Sequence, residues 1–399
     1  MRAVICLASL LCAAGFAAPV AAQVTVSGGL SGEIRTFPEP PRAGQDVQAA
    51  QPAFTGEARL EAQGPRKRFM VTFNPYVRYD AVDGQRSVFD LHELKVSAGG
   101  QHWHVKAGYD VEFWGVMEVV NPVNVLNQTD VTEDFLTKRK LGQLMVDYTL
   151  LGNFGTVDFY ALGGFQPMRF PTATARLSPA VPIHQDDVMY GSGRGRSQLE
   201  GAVRYFRNVR NVYVGVSQFY GYARDPEMLV AFDSQSMPFV AARYDLEHQT
   251  GAEVQVTFGN VILKSEDVFR ADAHGRRSHA LSAGSEYDLG SVLQSGRTIS
   301  LFAEYYFDSR SQSLVIPFRN DVFAGTRVSL NDRRSSEVRV WGNYDLSARK
   351  VTAIMVDASA RLSERLKAVV TYRGIMARQD ALASIARDSH LVFKLESFF

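Results

Sequence analysis

The sequence predicts an all-β chain that forms a transmembrane antiparallel β-barrel of about eighteen strands, with about sixteen as the alternative count. Segments of about ten residues alternate between apolar and charged side chains, as barrel strands do. The chain also ends in such a segment. After residue 22 nothing approaches the roughly eighteen consecutive apolar residues that favour a membrane-spanning helix. Within a membrane, only a closed barrel could then satisfy the backbone.

The alternation begins at residue 24 and recurs along the chain. Val24, Leu30 and Ile34 share one phase, and Glu33 and Arg35 share the other. A barrel turns the apolar phase towards lipid, whereas a water-soluble sandwich turns it inwards. The pattern alone therefore leaves both folds open, and the two ends of the chain favour the membrane fold.

Two segments need a decision about their strands. In 238–258 one phase continues without a break, which predicts a single long strand, because a turn usually resets the phase. Segment 261–270 fits less well, since Asp267 shares its phase with Val261 and Leu263. We expect a bulge or the end of the strand at that point.

The last ten residues, 390–399, form the clearest strand. The apolar phase contains Leu391, Phe393, Leu395 and Phe399, and the polar phase contains His390, Lys394 and Glu396. A two-faced strand that closes the chain on an aromatic residue resembles the terminal strand of bacterial outer-membrane barrels, which the barrel-assembly machinery reads. The resemblance implies that this machinery recognises the strand ending at Phe399.

Residues 1–22 have the organisation of a secretory signal peptide. Arg2 precedes an apolar stretch from Ala3 to Ala17, and small residues at 20–22 form a cleavage site. Both cysteines lie in this segment, so the mature chain 23–399 contains no thiol. Disulfides, thiolate metal sites and cysteine nucleophiles are thereby excluded. We expect export to the outer membrane of a Gram-negative bacterium.

The connections between strands alternate between short and long. Short ones are expected near 63–67, 99–100, 150–155, 207–210, 259–260, 288–296, 331–334 and 363–365, and long ones near 36–52, 110–140, 165–196, 222–238 and 308–318. Short periplasmic turns and longer extracellular loops are typical of outer-membrane barrels. We therefore expect one barrel domain, 23–399, with both termini in the periplasm.

The connection 110–140 is too apolar for a loop that extends into water. Glu133 stands in capping-box spacing after 127–130, which predicts a short helix near 131–139. We expect this loop to fold into the barrel mouth and narrow a pore. Its acidic residues would then oppose its own basic residues. The acidic residues are Glu112, Glu118, Asp130, Glu133 and Asp134, and the basic residues are Lys138, Arg139 and Lys140. A loop packed on the rim purely for stability is the alternative.

The candidate pore-lining residues come from this loop and from the inward phases of the strands. The loop supplies Glu112, Trp114, Glu118, Asp130, Glu133, Lys138 and Arg139. The strands supply Arg59, Arg204, Glu304, Arg327, Arg339, Arg361 and Arg373. Inward charges of both signs are interspersed, which indicates weak ion selectivity or paired charges across a narrow lumen.

Two blocks of sequence resemble a proteobacterial group of uncharacterised, porin-like outer-membrane barrels. The first block consists of 114–118, 127–130 and 140–143, and the second of 306–310, 317–325 and 330–332. The resemblance implies the barrel fold and the outer-membrane location. It implies no substrate.

Other kinds of chemistry have little support in the sequence. Loss of Arg2 with the signal leaves 43 − 1 = 42 basic against 42 acidic residues, so no basic excess favours nucleic acid. His102 and His104 share a strand face, but a third metal ligand is not evident. No G-x-S-x-G motif is present. We expect neither an enzyme, a cofactor nor a metal site.

The expected function is passive diffusion of small hydrophilic solutes through an outer-membrane channel. The expected partners are outer-membrane lipids, the barrel-assembly machinery and the solutes. Two alternatives remain open, namely an export conduit for a polymer or lipid, and a structural or adhesion barrel with a closed lumen. The oligomeric state is left open, because no wall of small, flat outward residues stands out.

Overall fold

The computed structural model describes residues 23–46, 48–64, 68–133, 139–179, 181–290, 296–311, 315–347, 349–376 and 383–399. The predicted signal peptide, Asp134 and Lys138 lie outside these ranges. So does most of the helix expected near 131–139, and the described residues 131–133 and 139 are not helical.

The described chain contains twenty-one strands. They are β1 (Gln23–Thr36), β2 (Ala50–Gln63), β3 (Phe69–Asp80), β4 (Val88–Gly99), β5 (Trp103–Asp110), β6 (Gln143–Gly152), β7 (Gly155–Gly163), β8 (Met189–Tyr190), β9 (Glu200–Val209), β10 (Val212–Tyr222), β11 (Glu227–Phe232), β12 (Pro238–Tyr244), β13 (Leu246–Phe258), β14 (Val261–Asp272), β15 (Arg277–Asp288), β16 (Thr298–Asp308), β17 (Asn320–Ser329), β18 (Glu337–Asp345), β19 (Lys350–Arg361), β20 (Leu366–Ile375) and β21 (His390–Phe398). Short 3-10 turns occupy 84–86, 195–197 and 383–388. No helix in the described part of the chain has the length and apolarity that crossing a membrane requires.

Eighteen of these strands form one closed antiparallel barrel, as the sequence predicted. They are β1 to β7, β9, β10 and β13 to β21, and each pairs with the next one along the chain. The barrel closes where β1 pairs with β21, from Gly29 opposite Phe398 to Thr36 opposite Leu391. The C-terminal strand therefore completes the sheet and leaves no barrel edge unpaired.

The apolar phase of the strands faces outwards and the charged phase faces inwards. In β1, Leu30 is 62% exposed, whereas Arg35 is 3% exposed. In β21, Phe393 and Leu395 are likewise exposed, and His390 is buried. A water-soluble sandwich would bury the apolar row, so that alternative is wrong. The barrel has an apolar outer surface around a charged interior.

Short turns connect the barrel strands at one end, which we call the short-turn end. Only Gly259 and Asn260 separate β13 from β14, and Gly259 adopts φ +57°, a conformation that glycine reaches without strain. Only Asn153 and Phe154 separate β6 from β7. The longer connections lie at the opposite, long-loop end. Both described ends of the chain lie at the short-turn end.

The prediction of one long strand over 238–258 is wrong. The segment divides at Asp245 into β12 and β13, and only β13 belongs to the barrel. β12 instead pairs with β11 and with β8 in a separate three-stranded sheet. The phase continues through Asp245, so the sequence pattern does not reveal the break. The barrel count is unaffected because the segment contributes one barrel strand in either case.

The expectation of a bulge or a strand end at Asp267 is also wrong. The register of β14 with β13 and with β15 runs without interruption through this residue. Asp267 faces outwards, and its Oδ2 lies 2.8 Å from Nε2 of His279. Irregular pairing occurs elsewhere, between Asn74 and Pro75 and between Asn343 and Tyr344.

Candidate functional site

The described part of the connection between β5 and β6, residues 111–133 and 139–142, lies inside the barrel, and we call it the inner loop. Asn127 holds its two ends together. The Nδ2 of Asn127 donates to the carbonyl oxygens of Asp110 and Leu141, both at 2.9 Å, and its Oδ1 accepts from the Glu112 backbone N–H at 2.9 Å. A loop whose ends meet in this way can leave the wall and return to it at one place.

Two carboxylates of the opposite wall hold the tip of the inner loop. Oε1 of Glu266 in β14 accepts the backbone N–H groups of Val116 at 2.6 Å and Met117 at 3.0 Å. Glu304 in β16 accepts those of Glu118 at 2.5 Å and Val119 at 3.0 Å. Hydrogen bonds to a charged acceptor are about twice as strong as neutral ones. Glu304 is buried against the loop, so it anchors the loop and does not line open space.

Gly115 allows the tip to approach the wall closely. It adopts φ +127°, which strains other residues. A Cβ at this position would lie 2.6 Å from Oδ1 of Asn121 and 2.6 Å from Oε1 of Glu266. No larger residue fits here without moving the Glu266 carboxylate.

Glu118 joins the tip to a group of basic residues on the wall. Its carboxylate lies 3.5 Å from Nζ of Lys264, 3.4 Å from Nη2 of Arg327 and 3.2 Å from Nη2 of Arg339. Burial alone would raise the pKa of Glu118, but Lys264 and the two arginines hold it below its ordinary value. Two predicted strand residues, Arg327 and Arg339, therefore meet a predicted loop residue.

The second half of the loop is held by a buried arginine of β3. Arg78 places Nη2 at 3.0 Å from Asp130 and Nη1 at 2.9 Å from Glu133, and its side chain is fully buried. Arg35 of β1 donates to the Glu133 carbonyl at 2.6 Å. Burial alone would raise the pKa of Glu133, but the positive charges of Arg78 and Arg86, followed by those of Arg139 and Arg35, hold it at about 2.

The remaining charged loop residues also contact the wall. Glu112 pairs with Lys106 of β5, and burial raises the pKa of Glu112 despite that partner. The guanidinium of Arg139 lies 3.3 Å from the ring centroid of Tyr76, and its Nη2 lies 3.1 Å from Nε2 of His92. The four described acidic residues of the inner loop thus pair with basic residues of the wall, which the sequence did not predict. Lys138 and Asp134 lie outside the described residues.

Apolar side chains fill the space between the inner loop and two stretches of the wall. Trp114 is buried in a cluster with Val123, Val125, Leu126, Met145, Tyr160, Leu162, Ala202, Phe219 and Val268. Val119 belongs to a second cluster with Ala280, Phe302, Tyr306, Phe318, Phe323, Trp341 and Met355. Trp114 therefore packs the loop against the wall and does not face open space, contrary to its predicted position in the pore lining.

Open space remains on two sides of the inner loop. A cavity of about 530 Å³ lies beside β21, β1, β2 and β3. Its polar lining includes Ser31, Thr55, Glu57, Arg59, Tyr76, Glu133, Arg139, Lys394 and Glu396. Two further cavities, of about 180 and 410 Å³, are lined partly by residues of the long connections. The inner loop contributes to the lining of the 530 Å³ and 180 Å³ cavities, and both carry charges of both signs.

The other predicted strand residues are spread over the interior. Arg59 lines the 530 Å³ cavity, where its Nε lies 2.8 Å from Glu61. Arg204 lies 5.3 Å from the Trp114 ring. Arg373 pairs with an aspartate of β19 at 2.8 Å. Arg361 lies at the short-turn end, away from the inner loop, and donates to the Glu364 carbonyl at 3.1 Å.

Comparisons with known proteins assign neither a family nor a function to the chain. No family model matches it, and no curated protein matches it. It is similar to a double mutant of Rh. blastica porin, with 9% identity, a TM-score of 0.44, and coverage of 94% of this chain and 100% of that one. It is also similar to a loop-deletion mutant of OmpT, an outer membrane protein of Vibrio cholerae, with 7% identity, a TM-score of 0.46, and coverage of 95% and 100%. The resemblance to a porin-like family stays a prediction.

Sequence reasoning missed three residues that fix the inner loop, namely Glu266, Lys264 and Arg78. All three occupy inward phases of their strands, so alternation alone could have identified them as residues of the interior. No local signal shows that they meet the loop, because each contact spans the barrel or several strands. Among the described residues, no group of three or more histidine, cysteine, aspartate or glutamate side chains is arranged to hold a metal ion.

Proposed function

We propose that the chain is a porin-like channel of a bacterial outer membrane through which small hydrophilic solutes diffuse passively. One observation carries this proposal, namely the charged interior enclosed by an apolar outer surface and crossed by a loop that leaves a polar cavity of about 530 Å³ beside it. Barrels of about sixteen to eighteen strands are wide enough for an aqueous channel. No reaction is involved, because the lining alone sets the limits on size and charge.

The same proposal includes the route to the membrane. Residues 1–22 would direct export, and the assembly machinery would read the strand that ends at Phe399. The exposed apolar row would then contact outer-membrane lipids. The candidate lining of the narrowest region consists of Arg59, Glu133, Arg139 and the residues around Glu118, with Lys138 as a further candidate.

We propose weak ion selectivity for this channel. The 530 Å³ cavity carries basic and acidic side chains in equal number, namely Arg59, Arg139 and Lys394 against Glu57, Glu133 and Glu396. A channel that selects one sign of ion carries a ring or ladder of the opposite sign. The balanced lining therefore favours neutral or mixed-charge solutes.

A structural barrel with a closed lumen is the second candidate. It is favoured by the buried apolar packing around Trp114 and by the fully buried pair of Arg78 with Asp130. Both features would make the inner loop a plug. The two candidates differ in one measurable property, which is the passage of solute.

Conductance of the purified mature chain in planar bilayers tests the proposal directly. We expect stable, ohmic channels, and swelling of proteoliposomes in small sugars that falls off as the sugar grows, because an aqueous lumen is limited by the loop. Empty liposomes and heat-denatured protein are the controls. Folded protein that neither conducts nor swells with any sugar would favour the plugged barrel.

Replacing Glu118 by glutamine should shift the ion preference. The substitution E118Q removes one negative charge and leaves Lys264, Arg327 and Arg339 without this acidic partner. We expect the anion-to-cation permeability ratio to rise about twofold, measured as a reversal potential in a salt gradient. The control E364Q changes the same charge in a short turn. Equal shifts in both variants would contradict a role for Glu118 in the pore.

A further inference from the structure

Two oppositely charged side chains at the long-loop end are buried without forming an ion pair with each other. Glu247 of β13 and Arg270 of β14 face inwards on neighbouring strands. Glu247 is 8% exposed, and its carboxylate makes no hydrogen bond or ion pair with a described residue. Arg270 is 6% exposed, and its Nε donates to Gln249 at 2.9 Å. Its Nη1 has no hydrogen-bond partner in the described part of the chain, and Oδ2 of Asp308 is 3.8 Å away.

Both side chains line the two cavities at the long-loop end. The cavity of about 180 Å³ lies between the inner loop and the connections that follow β10 and β16, and the cavity of about 410 Å³ lies beside it. The two cavities share Asp225, Glu247, Arg270, Arg310 and Ile316 as lining residues. A solute that enters either cavity therefore meets the Glu247 carboxylate and the Arg270 guanidinium together.

The two arginines next to this pair already have acidic partners. Arg224 donates to both carboxylate oxygens of Glu200, at 2.9 and 2.7 Å. Arg310 donates to Asp308 at 2.7 Å and to Asp225 at 2.9 Å. Burial of a charge without a partner is costly, so Glu247 and Arg270 are the groups of this region that gain most from a ligand. The ligand has to supply a positive group to the first and a negative group to the second.

Apolar side chains form another part of the 180 Å³ cavity. The inner loop contributes Val120, Pro122 and Val125, and the connection after β16 contributes residues 315–318, which are Val315, Ile316, Pro317 and Phe318. Ligand sites of this kind combine an apolar lining with a few polar groups that fix the orientation of the ligand. The ligand that fits therefore carries a small apolar group in addition to its two charges.

We propose that this site binds a small zwitterion, an α-amino acid with an apolar side chain. The carboxylate of the ligand accepts from the Arg270 guanidinium, whose planar fork matches a carboxylate. The ammonium group of the ligand donates to Glu247, and its side chain packs against Val315, Ile316 and Phe318. A simple anion or a simple cation leaves one of the two buried charges without a partner. The inference rests on the proposed function in one respect, namely that the ligand is a solute that enters the barrel.

Titration calorimetry of the folded mature chain in detergent tests the proposal, with L-leucine as the probe. Two analogues of the same shape are the controls. Isocaproate lacks the ammonium group, and leucinol lacks the carboxylate. We expect saturable binding of leucine and binding of each analogue that is weaker by about tenfold or more, because each loses one charged hydrogen bond. Absence of leucine binding, or equal affinity for leucine and either analogue, would overturn the proposal.

Variants of the two charged residues locate the site. E247Q keeps the shape of the side chain and removes a buried charge that has no ion-pair partner, so the variant should fold, and R270Q tests the other end of the ligand. We expect each to weaken leucine binding by about tenfold or more, and the control E364Q in a short turn to leave it unchanged. Leucine binding to folded E247Q that equals binding to the intact chain would overturn the assignment, whether or not R270Q folds.

Conductance recorded on the same preparations separates this proposal from that of the channel. Calorimetry detects the ligand on the protein and does not require its passage. Leucine binding that E247Q removes, in a barrel that does not conduct, would overturn only the channel. A conducting barrel that does not bind leucine would overturn only the zwitterion site.

Discussion

Removal of the tip of the inner loop should widen the lumen. In a variant that tests this, a short glycine linker replaces residues 113–126. Asn127 keeps its bond to the Glu112 N–H, 2.9 Å away in the intact protein, so the shortened ends remain together. We expect single-channel conductance to rise about twofold or more, because the loop crosses the interior and an empty barrel of this size holds an aqueous channel. Planar-bilayer recording measures the change.

The matched control shortens a different connection by about the same length. A glycine linker that joins Glu227 to Arg243 removes the β11–β12 hairpin, and these two residues are already opposite each other. This variant should conduct as the intact chain does, since the hairpin lies in a separate sheet. If the inner-loop variant is folded and its conductance is unchanged, the loop does not limit the pore.

The anchoring of the tip can be tested without a deletion. Glutamine at Glu266 and Glu304 keeps the shape of both side chains but removes the carboxylates that accept five backbone N–H groups of the loop. Weaker anchors should let the tip move, so we expect the open current to become noisy and its mean to rise. The measurement is the variance of the single-channel current. A variance equal to that of the intact chain would show that apolar packing alone fixes the tip.

The barrel itself could be predicted from the sequence because one rule holds at nearly every strand position. Apolar residues face the lipid and charged residues face the interior, so the phase of a residue alone predicts which face of the wall it occupies. Leu30 and Arg35 are examples. The number of strands follows from the same phase. The break at Asp245 could not be predicted, because β12 leaves the barrel without changing phase. β12 and β13 can be distinguished only by the strands with which each of them pairs in the folded protein.

The candidate site was predicted less well, for a physical reason. The sequence indicated that residues 110–140 fold inwards, since their apolar side chains need cover. It could not indicate which wall covers them. Glu118 contacts Lys264, Arg327 and Arg339, which lie far away in sequence and come close only because the barrel closes. The prediction therefore paired the acidic and basic residues of the loop with each other, because they are close along the chain, and it missed their partners on the wall.

Asp267 shows a third limit of the phase rule. A charge on the apolar phase was interpreted as a defect of the strand, because the rule treats the outer surface as uniform lipid. The register is intact, and the residue pairs with His279 on the neighbouring strand. The sequence pattern therefore does not distinguish an interrupted strand from an intact strand that carries a polar pair on its outer face.

Replacement of Arg78 by methionine should destabilise the protein more than E118Q or the substitutions at Glu266 and Glu304. R78M leaves the fully buried Asp130 without the guanidinium 3.0 Å away and with the more distant Arg169 at 3.7 Å, and it removes the guanidinium 2.9 Å from Glu133. Breaking a buried ion pair from one side costs about 3–5 kcal/mol, because an uncompensated charge stays buried. Denaturant unfolding in detergent or lipid measures the loss. R59M is the matched control, since Arg59 and Glu61 are partly exposed and Glu93, the second partner of Arg59, keeps its ion pair with Lys95. Partly exposed pairs of this kind contribute about 0–1 kcal/mol.

The pH dependence separates lost charge pairing from lost packing in R78M. In the intact protein the pKa of Glu133 is held at about 2, below its ordinary value of 4.5. Its contribution to stability is therefore present above pH 4.5 and is lost as the pH falls towards 2. In R78M this contribution of Glu133 shrinks, because the guanidinium that contributes most to lowering its pKa is gone. The stability difference between the two proteins should accordingly narrow from about pH 7 to about pH 3. A difference that stays constant over that range would mean that Arg78 acts by filling space.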